Sequence, residues 1–111
     1  MTEDLVHHGT DSNSAIDIVK RGLNNRARRR AAGAAGVDDK GLSVTTDPAI
    51  AGAWARARAS ERGGKPAVLQ APRDALPLRV PDSDNLGDPG ELYIDPAEFL
   101  QVGPGIFQPV S

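Results

Sequence analysis

Apolar and polar residues follow two rhythms along the chain. Leu5-Val6-His7-His8 is a short apolar start that stops at Gly9-Thr10-Asp11-Ser12, a cluster of turn and helix-capping residues. From about Asn13 to Arg21 the period changes: Ala15, Ile16, Val19 and Leu23 recur at roughly helical spacing, and Gly22 behind Lys20-Arg21 is a stop signal. Leu42-Ser43-Val44-Thr45 reads as a second strand. Asp47-Pro48 then opens a helix to about Ser60, with Asp47 as its cap and Ile50, Ala53, Trp54 and Ala57 as its expected apolar stripe. Gly63-Gly64 ends it.

Ala67 to Ala71 is a third strand, Leu78-Arg79-Val80 a short fourth, and Glu91-Leu92-Tyr93-Ile94 a fifth. Pro96 to Phe99 predicts a helical turn, followed by two short strands near Leu100 to Val102 and Ile106 to Val110. The stretches Asn24 to Lys40 and Pro72 to Gly90 lose periodicity and read mostly as loop. Strands and helices do not alternate regularly, and strands crowd the C-terminal half, which predicts an α+β fold. With 111 residues, 39% of them hydrophobic, the chain can close one core, so residues 1–111 are expected to form a single domain.

Composition sharpens this picture at one point. Aromatic residues are only 4% of the chain, so the core is built mainly from Ala, Val, Leu and Ile, and the single tryptophan, Trp54, needs a reason of its own. A net charge of -2 gives no global attraction to nucleic acid or membranes. The absence of cysteine excludes disulfides and thiolate metal sites. The acidic start Met1-Thr2-Glu3-Asp4 differs from a basic secretory leader, and no apolar run reaches membrane-spanning length. The expectation is a protein that works in a cytoplasm, either its own or one into which a larger effector delivers it.

Three segments carry candidate chemistry. Val6-His7-His8-Gly9-Thr10 precedes a helix ending Arg21-Gly22-Leu23, Lys40-Gly41-Leu42-Ser43-Val44 precedes the helix with Trp54, and Gly90-Glu91-Leu92-Tyr93-Ile94 is a strand opened by a carboxylate. In this order they resemble the catalytic domain of poly(ADP-ribose) polymerases and the diphtheria-toxin-like branch of the ADP-ribosyltransferases. The resemblance runs from Leu5 to about Phe99. It implies an ADP-ribosyltransferase-like fold of two small packed, mainly antiparallel sheets with two principal helices. It also implies NAD+ as co-substrate, without a metal.

Carried over by position, the resemblance makes His8, Ser43 and Glu91 the catalytic set. His8, Gly9, Thr10, Ser43 and Trp54 become the NAD+-binding residues, with Arg28 and Arg29 of the arginine-rich loop for the pyrophosphate or a nucleic-acid acceptor. His8 would hold a ribose hydroxyl, since an imidazole offers one donor and one acceptor without charge at neutral pH. The backbone of Gly9 would pair with the nicotinamide carboxamide. Trp54 would stack on the cationic nicotinamide ring, a contact worth about 1 to 2 kcal/mol when dry, and it also fits the role of core anchor for its helix. Glu91 would stabilise the positive charge that grows on the ribose as nicotinamide leaves.

Ser43 departs from the tyrosine usual in the histidine-led branch and looks like the serine strand of the cholera-toxin-like branch. Trp54 compensating, weak activity, and a ligand other than NAD+ all remain open readings of that change. Pro89, two positions before Glu91, speaks against an arginine acceptor. The resemblance therefore implies a pentosyl glycosyltransferase that moves single ADP-ribose units to a protein or nucleic acid, in a toxin, effector or phage-type modifier, with an immunity or antitoxin protein as a further partner. The alternative is a catalytically weak module that binds NAD+, ADP-ribose or a protein. An RNA 2'-phosphotransferase fits poorly, because that chemistry needs a basic face. The residues alone offer no metal site: the two histidines are adjacent, and neighbours on a strand point to opposite faces.

Overall fold

A computed structural model describes residues 4–23, 42–80 and 90–110. Among them, in chain order, are strand β1 (Leu5–Asp11), helix α1 (Ser12–Arg21), β2 (Leu42–Thr45), helix α2 (Pro48–Arg62), β3 (Pro66–Pro72), β4 (Leu78–Arg79), β5 (Glu91–Ile94) and β6 (Gln108–Pro109). Short 3-10 turns cover Arg73–Ala75 and Pro96–Gln101. The α+β expectation holds.

All six strands belong to one sheet, in the order β4-β5-β2-β1-β3-β6, with every pairing antiparallel. This corrects the expectation of two separate small sheets. The reason lies at β1, which pairs along its full length with β3 but meets β2 at one register position, His7↔Thr45. Two three-stranded halves are thus joined by a narrow hinge of pairing, and the sheet opens beyond it.

Strand alternation sorts the two faces. Val6 of β1, Leu42 and Val44 of β2, Leu69 and Ala71 of β3, and Leu92 and Ile94 of β5 form the main core with Ala15 and Ile18 of α1. Phe99 and Phe107, both fully buried, close it from the C-terminal segment. Asp11 caps α1, accepting from Ser14 N at 3.1 Å and from Ser14 Oγ at 2.7 Å. The far end of α1 is tied to the C-terminal segment by Leu23 N to Val102 O at 2.9 Å and Gly105 N to Val19 O at 3.1 Å. No strand forms at Leu100 to Val102, contrary to expectation. Asp95 accepts from Ala97 N at 2.9 Å and Val102 N donates to Phe99 O, so a 3-10 turn uses that segment and sends Phe99 and Val102 inward.

Helix α2 covers the opposite face, and its contact surface corrects the expected stripe. The buried residues are Ala51, Ala55 and Ala59, whereas Ala53 and Ala57 are exposed and Ile50 and Trp54 are half-buried. The physical reason is Gly9: a Cβ placed there would lie 1.8 Å from Ala51 O and 2.7 Å from Ala55 N. Helix and strand backbones touch, so only the smallest side chains fit between them and the larger ones move to the flank.

Candidate functional site

The opening between β1 and β2 can be built from backbone directions. Val110 N donates to Val68 O at 3.0 Å, so the polar groups of Val68 face β6. Those of Leu69 then face β1 opposite His8, and alternation turns the N-H and C=O of Gly9, like those of His7, toward β2. At His7 they meet Thr45. At Gly9, which is buried, no register partner on β2 follows, and its carbonyl accepts from Arg58 instead.

His8 bridges that gap with its side chain, Nδ1 lying 2.7 Å from the carbonyl oxygen of Ser43. A carbonyl only accepts, so Nδ1 carries the proton. The ring is 1% exposed and packs 6.4 Å from Phe107 in a tilted pair. Burial first, then the nearby Arg58, lowers its pKa to about 3, against the raising effect of the Ser43 bond. His8 is therefore neutral at pH 7, and Nε2 is left as its acceptor.

On the α2 face a second group is in line. Thr45 stands opposite His7 on one side and opposite Glu91 on the other, and Ser43 is opposite Tyr93. The core takes Leu42, Val44, Leu92 and Ile94, so Ser43, Thr45, Glu91 and Tyr93 share the other face. Gly90, just before Glu91, has a left-handed φ of 75°, and a Cβ there would run into Thr46 Oγ1. Thr45 Oγ1 accepts from Asp47 N at 3.1 Å, which fixes the start of α2 beside this row. His7 Nδ1 is buried without a hydrogen-bond partner, and burial lowers the pKa of its ring despite Asp47 nearby.

Helix α2 adds two cations. Arg58 donates to Gly9 O at 3.3 Å, and Arg62 lies 3.5 Å from Asp11. Burial pushes the Asp11 carboxyl upward, but the Ser14 hydrogen bonds and Arg62 outweigh it and hold its pKa below the ordinary value.

The structure joins the His8 ring to the backbone carbonyl of Ser43 from the core face, where it packs on Phe107. The side chains of Ser43 and Glu91 belong instead to the opposite, α2 face of neighbouring strands. Gly9 follows on β1 where register pairing with β2 has stopped. Thr10 is fully buried and its hydroxyl leans on Asp11 at 3.4 Å, so it belongs to the α1 cap. Trp54 is carried by α2, half-buried, one turn before Arg58. Arg28, Arg29 and Pro89 lie outside the described residues. Sequence reading missed His7, Arg58 and Tyr93. The signals were there: adjacent histidines on a strand serve one face each, and Arg58 follows Trp54 by four positions on one helix flank.

Among the described residues no three His, Asp or Glu side chains converge as metal ligands would, and no helix is long and apolar enough to cross a membrane. No protein-family model matches the chain, and no curated protein or solved structure matches it either. Any functional reading therefore rests on these residues and their geometry.

Proposed function

We propose that the domain is a mono-ADP-ribosyltransferase of the ADP-ribosyltransferase fold, with NAD+ as co-substrate and a protein or nucleic acid as acceptor. One observation carries the reading: His8, Ser43 and Glu91, separated widely in sequence, come from three neighbouring strands, β1, β2 and β5. In this reading the neutral ring of His8, held through Nδ1 and 1% exposed, has to be uncovered for Nε2 to accept from a ribose hydroxyl. The Gly9 peptide, past the pairing with β2, suits an amide such as the nicotinamide carboxamide.

The chemistry asked of Glu91 is electrostatic. Nicotinamide departs with the electrons of the glycosidic C-N bond, cationic character grows on the ribose, and a fixed carboxylate lowers that barrier. The acceptor's nucleophile then forms the new bond to the same carbon and loses its proton to Glu91 or water. Single-unit transfer would suit a toxin, effector or phage-type modifier acting in a cytoplasm and restrained by an immunity or antitoxin protein.

A second reading, a binding module without turnover, is favoured by a specific contact: Arg58 already occupies the Gly9 carbonyl. Incubation with NAD+ labelled in its adenosine half and a cell lysate separates the two. Label fixed to macromolecules supports transfer. NAD+ bound but intact supports the binding module, and neither binding nor cleavage removes both.

A further inference from the structure

The six arginines of the described residues fall into three groups: three paired with carboxylates, two exposed without one (Arg56 and Arg73), and Arg58, half-buried without one. Arg21 lies 3.6 Å from Asp17 and Arg62 lies 3.5 Å from Asp11, while Arg79 pairs with Glu98. All three are exposed residues that have a carboxylate. Arg58 is half-buried and among the described residues has none within ion-pairing distance; its hydrogen bond there is the 3.3 Å contact to the Gly9 carbonyl. A guanidinium has five N-H donors and keeps its charge, so burial with one neutral acceptor leaves most of its bonding capacity unused. A half-buried cation whose nearby carboxylates, Glu61 and Asp11, stay beyond ion-pairing distance is only partly compensated, and an anion in contact relieves that cost.

The place of Arg58 narrows the choice of anion. It reaches the carbonyl of buried Gly9, on the side of β1 where register pairing with β2 has stopped, and Arg62 follows one helical turn later. Burial and the like charge of Arg62 lower the pKa of Arg58, while Glu61 and Asp11 raise it too little to compensate. Two arginines thus stand together at this end of β1, of which Arg62 is paired with Asp11 and Arg58 is not.

We infer that Arg58 is an anion-binding residue at the mouth of the β1–β2 gap and takes the diphosphate of a bound dinucleotide, the ligand's identity resting on the function proposed above. Planar guanidinium and phosphate oxygens match in a two-bond fork, which a single lysine ammonium does not reproduce. Turning toward the anion also releases the Gly9 carbonyl to an amide donor. Diphosphate and carboxamide ends of one ligand would thereby bind together.

The test titrates wild type, Arg58→Gln and Arg58→Lys with inorganic pyrophosphate, ADP-ribose and nicotinamide, by calorimetry and thermal melting. Wild type should bind pyrophosphate and ADP-ribose and melt higher with either. Arg58→Gln should weaken both by about tenfold or more, as loss of a charged hydrogen-bond pair does. Nicotinamide, which has no phosphate, should bind Arg58→Gln no more weakly than wild type, since the variant frees the Gly9 carbonyl, and Arg58→Lys should recover only part of the anion affinity. Equal ADP-ribose affinity in wild type and folded Arg58→Gln would overturn the inference, as would a wild type that pyrophosphate does not stabilise. Pyrophosphate binding that depends on Arg58, with no binding of ADP-ribose or nicotinamide, would keep the anion site and overturn the proposed function.

Discussion

The Nδ1 of His8 lies 2.7 Å from the carbonyl oxygen of Ser43, across a stretch where their strands have ceased to pair. A side chain thus does what a backbone ladder does elsewhere, while burial and the nearby Arg58 keep the ring neutral. The folded pKa of about 3 lies below the ordinary 6.5, so between those values the unfolded chain binds more protons. The stabilisation is complete above pH 6.5 and is lost with acid at up to about 1.4 kcal/mol per pH unit until the folded pKa is reached. His7, also lowered, adds in the same direction. Urea denaturation from pH 7 to 4 should show this slope in wild type and a flatter one in His8→Asn, which keeps a donor for Ser43. Parallel curves would mean that His8 is not the buried neutral group.

Gly9→Ala tests the contact of α2 with β1. The new Cβ would meet backbone atoms of Ala51 and Ala55, which cannot move independently of the helix. A loss of about 3 kcal/mol or more is expected from such overpacking. Gly103→Ala, with nothing within 4 Å of its Cβ, is the control and should change stability little. Similar midpoints for both variants in urea would contradict the close approach.

Much of this fold was legible because local signals are strong. Asp47-Pro48 started α2, Gly22 ended α1, and β2 and β5 were bounded by turn residues. The failures concern information that is not local. The Ile50-Trp54 stripe has the better hydrophobic pattern, yet the Ala51-Ala55-Ala59 face wins because Gly9, 42 positions before Ala51, removes the side chain beneath it. Strand order and the single joined sheet depend on long-range pairing, which periodicity does not contain. Leu100 to Val102 reads as strand by composition, but Asp95 caps a tighter turn through it. In the site, His8, Ser43 and Glu91 came from motif order, while His7 and Arg58 emerge only once faces and partners are known.

Trp54 is the single tryptophan and lies half-buried one turn before Arg58. If it forms the nicotinamide platform, NAD+ and nicotinamide should both quench or shift its fluorescence. ADP-ribose, which lacks the ring, should do so less. Unchanged emission at millimolar nicotinamide would remove Trp54 from the site.

Ser43 stands opposite Tyr93 on the face that Glu91 shares. Ser43→Tyr keeps the backbone carbonyl that His8 uses and adds an aromatic surface there. The variant should fold normally and bind NAD+ more tightly. Weaker binding with the fold intact would show a pocket shaped around the serine.

The central claim is that Glu91 lowers the barrier to breaking the nicotinamide bond, and release of nicotinamide from NAD+ by wild type and Glu91→Gln tests it most directly. The substitution keeps the shape and removes the charge, so the effect belongs to the rate rather than to binding. Turnover should fall by about a hundredfold or more, the usual consequence of losing one preorganised electrostatic group, with NAD+ affinity little changed. Equal rates in the two proteins, or no release by wild type that has bound NAD+, would contradict the account.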